Sequence, residues 1–234
     1  MMPVGMNPDP PALGGNRAVA WQLACHRQAI GAYGNGVESM GVTAERFNQG
    51  MTYEEYKAQM TRNKERFEET EASVQLQESD VAAVAGLSEP RNVLVLAEDW
   101  CGDVISGLPA LGKLAEASNG KLNVRVFLRD QNLDIMDQYL KNGEFRSIPV
   151  FVTFDQNFNE LGNMKERPDS VTELMQKGTA EIHANNPQYG PVGTAPDQIP
   201  EEIRPAYMAE RNALRDRLRP QINQAIVDTV RGIL

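Results

Sequence analysis

Cysteine is almost missing: Cys25 and Cys101 are the only two in 234 residues. Two cysteines cannot make a disulfide framework or a cysteine-rich zinc site. Histidine is equally scarce. His26 and His183 stand alone, so neither a metal centre nor a Cys–His catalytic pair is expected, and His26, directly after Cys25, would point elsewhere on a helix. Positive charge is in deficit, with 23 Lys and Arg against 32 Asp and Glu and a formal charge of −9. That balance argues against a general nucleic-acid binder, whose phosphate contacts need clustered cations, and against docking on an anionic membrane. No apolar run approaches the roughly 20 residues of a membrane-spanning helix. The start, Met1 to Pro11, has neither the basic region nor the apolar stretch of a signal peptide. The expectation is a cytoplasmic protein, where thiols stay reduced and a functional cysteine does chemistry rather than stapling.

What is present is ordinary globular composition, 41% hydrophobic and 24% charged, enough to bury a core without staples. Residues 1–16, with four prolines and three glycines, are expected to be a tail, and 17–70 an N-terminal helical extension. A helix is expected from Val19 to Ile30, stopped by Gly31–Gly36, a stretch that lacks the Lys-Ser/Thr of a phosphate loop. Thr52-Tyr53-Glu54-Glu55 reads as a capping box opening a helix with Tyr56, Met60 and Phe67 on its apolar side. Val74–Leu76 alternates like a short strand, and Ser79 can cap the next helix.

From there strands and helices alternate. Val93–Ala97 is a continuous apolar run, as in a strand covered on both faces. Helices are expected over 103–117 and 133–140, and strands over 122–128, 150–154 and 159–164. Ser170–Glu173 reads as a second capping box. The pattern predicts an α/β domain over 71–180, a mixed central sheet flanked by helices. Residues 181–234 form a C-terminal extension, a proline-rich loop over 186–200 followed by two helices broken at Pro220. Ile222, Ile226, Val230 and Ile233 fall on one helical face; packing on the chain's own domain is the plain reading, and a homodimer through the terminal helices the alternative. The C-terminal arginines, interspersed with Glu and Asp, read as a solvated face rather than an RNA surface.

The informative segment is Glu98-Asp99-Trp100-Cys101-Gly102-Asp103, between a buried strand and a helix. A cysteine at a helix N-terminus meets unpaired amides and the helix dipole, both of which favour the thiolate. Glu98, Asp99 and Asp103 work against it. Arg129 and Arg146 are the cations that could offset them, with salt bridges to Asp130 or Glu144 as the plainer role. Trp100 reads as a lid beside the thiol and a contact surface for substrate. Asp103 either complements the helix dipole or handles a proton.

Trp100-Cys101-Gly102, Pro109 eight residues on, and Ser147-Ile148-Pro149 ahead of a strand together resemble the thioredoxin superfamily. They match the start of its Trp-Cys-Gly-Pro-Cys motif, the proline of its active-site helix and its cis-proline segment. The resemblance runs from about Val74 to Gly178. It implies a thioredoxin-like fold, a redox role for Cys101, and an extended substrate segment pairing with backbone at Ile148 beside a cis Pro149. The wording around Cys101 is more similar to longer, bacterial-type members of the family than to thioredoxin itself.

Two positions depart from the motif: Asp103 replaces its proline, and Val104 its second cysteine. Without that second thiol a mixed disulfide cannot be resolved locally, and Cys25 is the sole internal substitute. The expectation is a monothiol thiol–disulfide exchange protein acting on a protein or small-molecule disulfide. It needs no cofactor beyond an external low-molecular-weight thiol. A thioredoxin-fold binding module without turnover is the alternative; a peroxidase lacks its Thr-x-x-Cys arrangement here.

Overall fold

A computed structural model describes residues 42–234. The expected tail, the helix over 19–30 with Cys25 and His26, and the Gly31–Gly36 stretch lie outside the described residues. Four short helices come first: α1 (Ala44–Phe47), α2 (Tyr53–Gln59), α3 (Lys64–Ser73) and α4 (Glu78–Ala85). The Thr52–Glu55 capping box forms and opens α2. Tyr56 and Met60 are buried on that side, whereas Phe67 reaches the same core from the separate α3.

Two local expectations fail here. Val74–Leu76 is not a strand; it belongs to the four-residue connector Val74–Gln77 between α3 and α4 and has no ladder partner. The cap of α4 is Gln77, not Ser79. Asp80 lies three residues after Gln77 and accepts its backbone N–H at 2.8 Å, the reciprocal spacing a capping box requires.

The sheet follows: β1 (Arg91–Ala97), α5 (Gly102–Ala117), β2 (Leu122–Leu128), α6 (Leu133–Met136), β3 (Val150–Phe154) and β4 (Glu160–Lys165). Strand order is β2-β1-β3-β4. β1 runs parallel to β2, in register from Arg91 against Leu122 to Ala97 against Leu128. β3 is antiparallel to both β1 and β4. The apolar run Val93–Ala97 is completely buried, which accounts for its lack of alternation: helices cover both faces of this central strand. The expected helix to Leu140 stops early, because α6 ends at Met136 and gives way to a turn.

α7 (Asp169–Asn185) and α8 (Arg204–Ile233) complete the fold. Pro168 leads into α7 with the extended backbone a proline favours, so Ser170 lies inside the helix and caps nothing. α8 is one helix, not two, and Pro220 sits within it. An interior proline costs about 3 kcal/mol, but apolar side chains on both sides of it are buried together. Leu214, Ile222, Ile226, Val227 and Val230 all belong to the main core. The apolar face of α8 is therefore covered by this chain itself. The loop over 186–200 contains two short 3-10 turns, and its Tyr189 and Ile199 join Tyr207 in a second buried cluster. His183 packs there, its Nδ1 2.9 Å from the Gly190 carbonyl oxygen. Among the described residues no helix is long and apolar enough to cross a membrane.

Candidate active site

β1 stops at Ala97 and the chain turns once before α5. The Cys101 amide donates to the Glu98 carbonyl at 3.2 Å, which closes the turn and leaves Cys101 as the N-cap of α5. The sulfur thus lies over the first amides of a sixteen-residue helix, where four N–H groups lack intrahelical acceptors. Across from it, the Ile148–Pro149 peptide bond is cis. The Cys101 thiol donates to the Ile148 carbonyl oxygen with Sγ 3.5 Å away. β1–α5 and the segment entering β3 are adjacent because β1 and β3 pair directly.

Burial is the largest influence on this thiol and pushes its pKa up; the Asp103 carboxylate adds to the rise. The amides of Val104 and Asp103 and the positive charge of Arg215 pull it down without cancelling the rise. The surroundings therefore disfavour the thiolate relative to a free cysteine.

The three carboxylates adjacent in sequence play three different parts. Asp99 turns away and accepts from the amides of Thr61 and Arg62 at 2.9 and 3.0 Å, fixing the α2–α3 turn. Glu98 is buried and accepts from the Asp130 amide at 2.9 Å, and burial raises its pKa. Asp103 alone bears strongly on the sulfur. It is clamped by Arg167, Nη1 to Oδ2 2.6 Å, and by Arg215, Nη2 to Oδ1 3.3 Å. Arg167 also pairs with Glu166 at 2.8 Å, and the Glu166 amide donates to the Pro149 carbonyl at 2.6 Å. The proline segment and the first turn of α5 are therefore joined by one chain of ion pairs and hydrogen bonds.

The arginines near the thiol are not those expected from sequence. Arg129 pairs with Asp130 at 2.6 Å, donates to the Arg146 carbonyl, and lies over the Trp100 ring at 5.0 Å. Arg146 pairs with Asp137 at 2.7 Å. The cation that counters the carboxylate at Cys101 is Arg215, assigned from sequence to a solvated face. Its position did carry a signal: it precedes Ile222 by seven residues, on the buried stripe of α8, and it is 7% exposed. It approaches so closely that a Cβ on Gly102 would lie 2.8 Å from its Cζ, so any side chain there would have to push the guanidinium aside. Arg167 had no comparable signal.

Trp100 is 40% exposed and forms one wall of a cavity of about 260 Å³ beside Cys101. The cavity's polar lining includes Asn63, Arg66, Asp103, Arg211, Asn212 and Arg215. Tyr56 comes up beneath the turn. Its hydroxyl is buried and has no hydrogen-bond partner among the described residues. Its pKa is driven upward by burial first and then by the charges of Asp99, Glu98 and Cys101. Among the described residues no group of three His, Cys, Asp or Glu side chains is placed to hold a metal ion.

No curated protein matches this chain. Among solved structures, it is similar to an HIV epitope-scaffold, at 16% identity and a TM-score of 0.54, over 81% of this chain and 95% of that one. It is also similar to a protein of unknown function from Pseudomonas aeruginosa, at 17% identity and a TM-score of 0.50, over 73% and 94% of the two chains. At these identities the likeness is one of fold. A family model described as thioredoxin matches residues 50–181, more than half the chain, and includes the Cys101 turn, α5 and the Ile148–Pro149 segment. On that match, and on a four-stranded mixed sheet with helices on both faces, the chain belongs to the thioredoxin family.

Proposed function

We propose that this protein carries out thiol–disulfide exchange through Cys101 alone. The observation that supports it is the sulfur's place at the N-terminus of α5, 3.5 Å from the Ile148 carbonyl beside a cis-proline. In the forward step the Cys101 thiolate attacks one sulfur of a protein or small-molecule disulfide. A Cys101–substrate disulfide forms, the original S–S bond breaks, and the departing thiolate takes up a proton. Val104, fully buried one turn into α5, holds the place where a resolving thiol would stand. An external low-molecular-weight thiol then attacks the mixed disulfide, regenerates Cys101 and leaves with the substrate sulfur. Trp100 and the Ile148–Pro149 edge contact the substrate, and Asp103 sets the charge at the sulfur. The raised thiol pKa makes the thiolate scarce at neutral pH, but a thiolate of higher pKa is the stronger nucleophile, which offsets part of that loss. A reducing compartment such as the cytoplasm supplies the external thiol.

A second reading, a binding module without turnover, is favoured by one observation: the thiol's pKa is raised rather than lowered. Fold alone does not decide between them. The test is alkylation of Cys101 across pH together with trapping of a mixed disulfide, both located by peptide mass mapping to separate Cys101 from Cys25. Exchange predicts a reducible adduct at Cys101 that forms with the same pH dependence as Cys101 alkylation, since both need the thiolate. No adduct at any pH, with partner capture unchanged in Cys101→Ser, would leave the binding module standing.

A further inference from the structure

The cavity beside Cys101 has an unbalanced charge. Three arginines line it, Arg66, Arg211 and Arg215, against one carboxylate, Asp103. Two of the three are already occupied. Arg66 binds the Asn212 side chain and carbonyl at 2.7 and 3.0 Å and Asp216 at 2.8 Å. Arg215 is turned to Asp103. Arg211 forms neither a salt bridge nor a hydrogen bond among the described residues. Its Nε is buried without an acceptor, and its guanidinium lies 5.8 Å from the centre of the Tyr207 ring. Leaving a charged donor buried and unanswered is costly, and a guanidinium is a rigid fork that suits one carboxylate.

Resting on the exchange reading above, we propose that this cavity receives a carboxylate-bearing low-molecular-weight disulfide or thiol, its carboxylate on Arg211 and its sulfur at Cys101. The volume suits the occupant: at about 260 Å³ it falls below the 300–1,000 Å³ or so of pockets for drug-sized ligands. A phosphate dianion would call for a second free cation, and Arg66 and Arg215 are committed. The chemistry balances. The Cys101 thiolate bonds to one sulfur of RS–SR, the S–S bond breaks, and RS⁻ departs and is protonated by water. A second thiol then displaces RS from Cys101 as a new disulfide and returns Cys101 as thiolate. Each full cycle converts RS–SR and one external thiol R′SH into RSH and the mixed disulfide RS–SR′, with no net change of oxidation state.

The test uses three small disulfides of similar size: 3,3′-dithiodipropionate, 2-hydroxyethyl disulfide and cystamine, which are anionic, neutral and cationic. Adduct formation at Cys101 is followed by mass in the full-length protein. The proposal expects the anion to react faster than the cation, and Arg211→Gln to reduce that rate ratio about fivefold to tenfold, as expected for loss of one charge-assisted bidentate contact. The neutral disulfide should react unchanged, and Arg211→Lys should keep most of the preference because it keeps the charge. A ratio that Arg211→Gln does not move overturns the carboxylate site while leaving exchange intact. If no disulfide forms an adduct, exchange itself has failed. Calorimetric binding of 3,3′-dithiodipropionate to Cys101→Ser then decides the site alone: binding weakened by the added Arg211→Gln supports it, and no binding overturns it.

Discussion

Arg215 on α8 reaches Asp103 in the first turn of α5, Nη2 to Oδ1 3.3 Å, and both side chains bear on the Cys101 sulfur from opposite directions. Asp103 raises the thiol pKa and Arg215 lowers it. Removing Asp103 leaves Arg215 without its anion beside the sulfur, whereas removing Arg215 leaves Asp103 still paired with Arg167. An ion pair between α5 and α8, elements more than a hundred residues apart, thus adds to the larger effect of burial on this thiol.

Asp103→Asn should move the pH profile of Cys101 alkylation towards acid, with faster modification at neutral pH, because a raising charge is lost and Arg215 is freed. Arg215→Gln should move it towards base. The check is the iodoacetamide rate against pH, with far-ultraviolet circular dichroism confirming that both variants fold. Two profiles that shift the same way would refute the opposed-charge account.

Stability follows from the same shift. The folded thiol keeps its proton to higher pH than the unfolded one, whose value is about 8.5. The folded state therefore binds more protons above that pH, and stability falls as pH rises from there through the folded value. Urea midpoints measured across alkaline pH should show this fall, and Cys101→Ser should lose it. An equal slope in both proteins would mean that other groups are responsible.

V104C tests whether position 104 is where a resolving thiol would act. Val104 is buried one turn beyond Cys101, so the introduced thiol would face the mixed disulfide from within the helix. Loss of one methyl from the core should cost about 1 kcal/mol. Under mild oxidant the variant should form an internal disulfide, and its adducts with small disulfides should be short-lived where the parent's persist. Persistent adducts in V104C would show that the first turn of α5 cannot supply the second thiol.

Much of this site could be read from sequence because its parts are local. A continuous apolar strand, a Trp-Cys-Gly turn and a helix are contiguous, and Ile148-Pro149 leads into another apolar run. What could not be read was long-range. Arg129 and Arg146 were the cations nearest the motif by strand position, yet Asp130 and Asp137 hold them. Arg215 was visible as a charge on an otherwise buried stripe of α8, but the carboxylate it faces lies more than a hundred residues away and could not be read. The same holds for α8. Proline predicts a break from local backbone chemistry, and packing on both sides of Pro220 overrules it. Val74–Leu76 erred the other way, since alternation over three residues fits an extended connector as well as a strand.

Asp80 ties α4 to the C-terminal end of α8. Its carboxylate is 1% exposed, accepts the Gln77 amide as part of the α4 cap, and pairs with Arg231 near the end of α8. Asp80→Ala removes a cap and leaves Arg231, itself one-third exposed, without its anion. The expected loss is about 2–3 kcal/mol, less than for a fully buried pair because water can still reach the guanidinium. Denaturant unfolding measures it. Asp80→Asn, which keeps an acceptor for the Gln77 amide, should recover the cap's share, about 1 kcal/mol. Equal losses in both variants would assign the whole effect to the ion pair.

Gly112 on α5 lies directly against the Tyr53 ring of α2. A Cβ there would lie 2.6 Å from Tyr53 Oη. The ring cannot simply retreat, because Tyr53 donates to Glu71 at 2.7 Å, and Glu71 also receives Lys57 Nζ at 2.9 Å. Alanine is the better helix former by about 1 kcal/mol, so on an open helix Gly112→Ala would stabilise. Here overpacking, typically about 1–3 kcal/mol, should reverse the sign and destabilise. The decisive measurement is a double-mutant cycle with Tyr53→Ala. Once the ring is gone, Gly112→Ala should become neutral or stabilising, since only the helix preference remains. If it stays destabilising without Tyr53, the clash is not its cause, and the close packing of α2 against α5 would not be what requires glycine at this position.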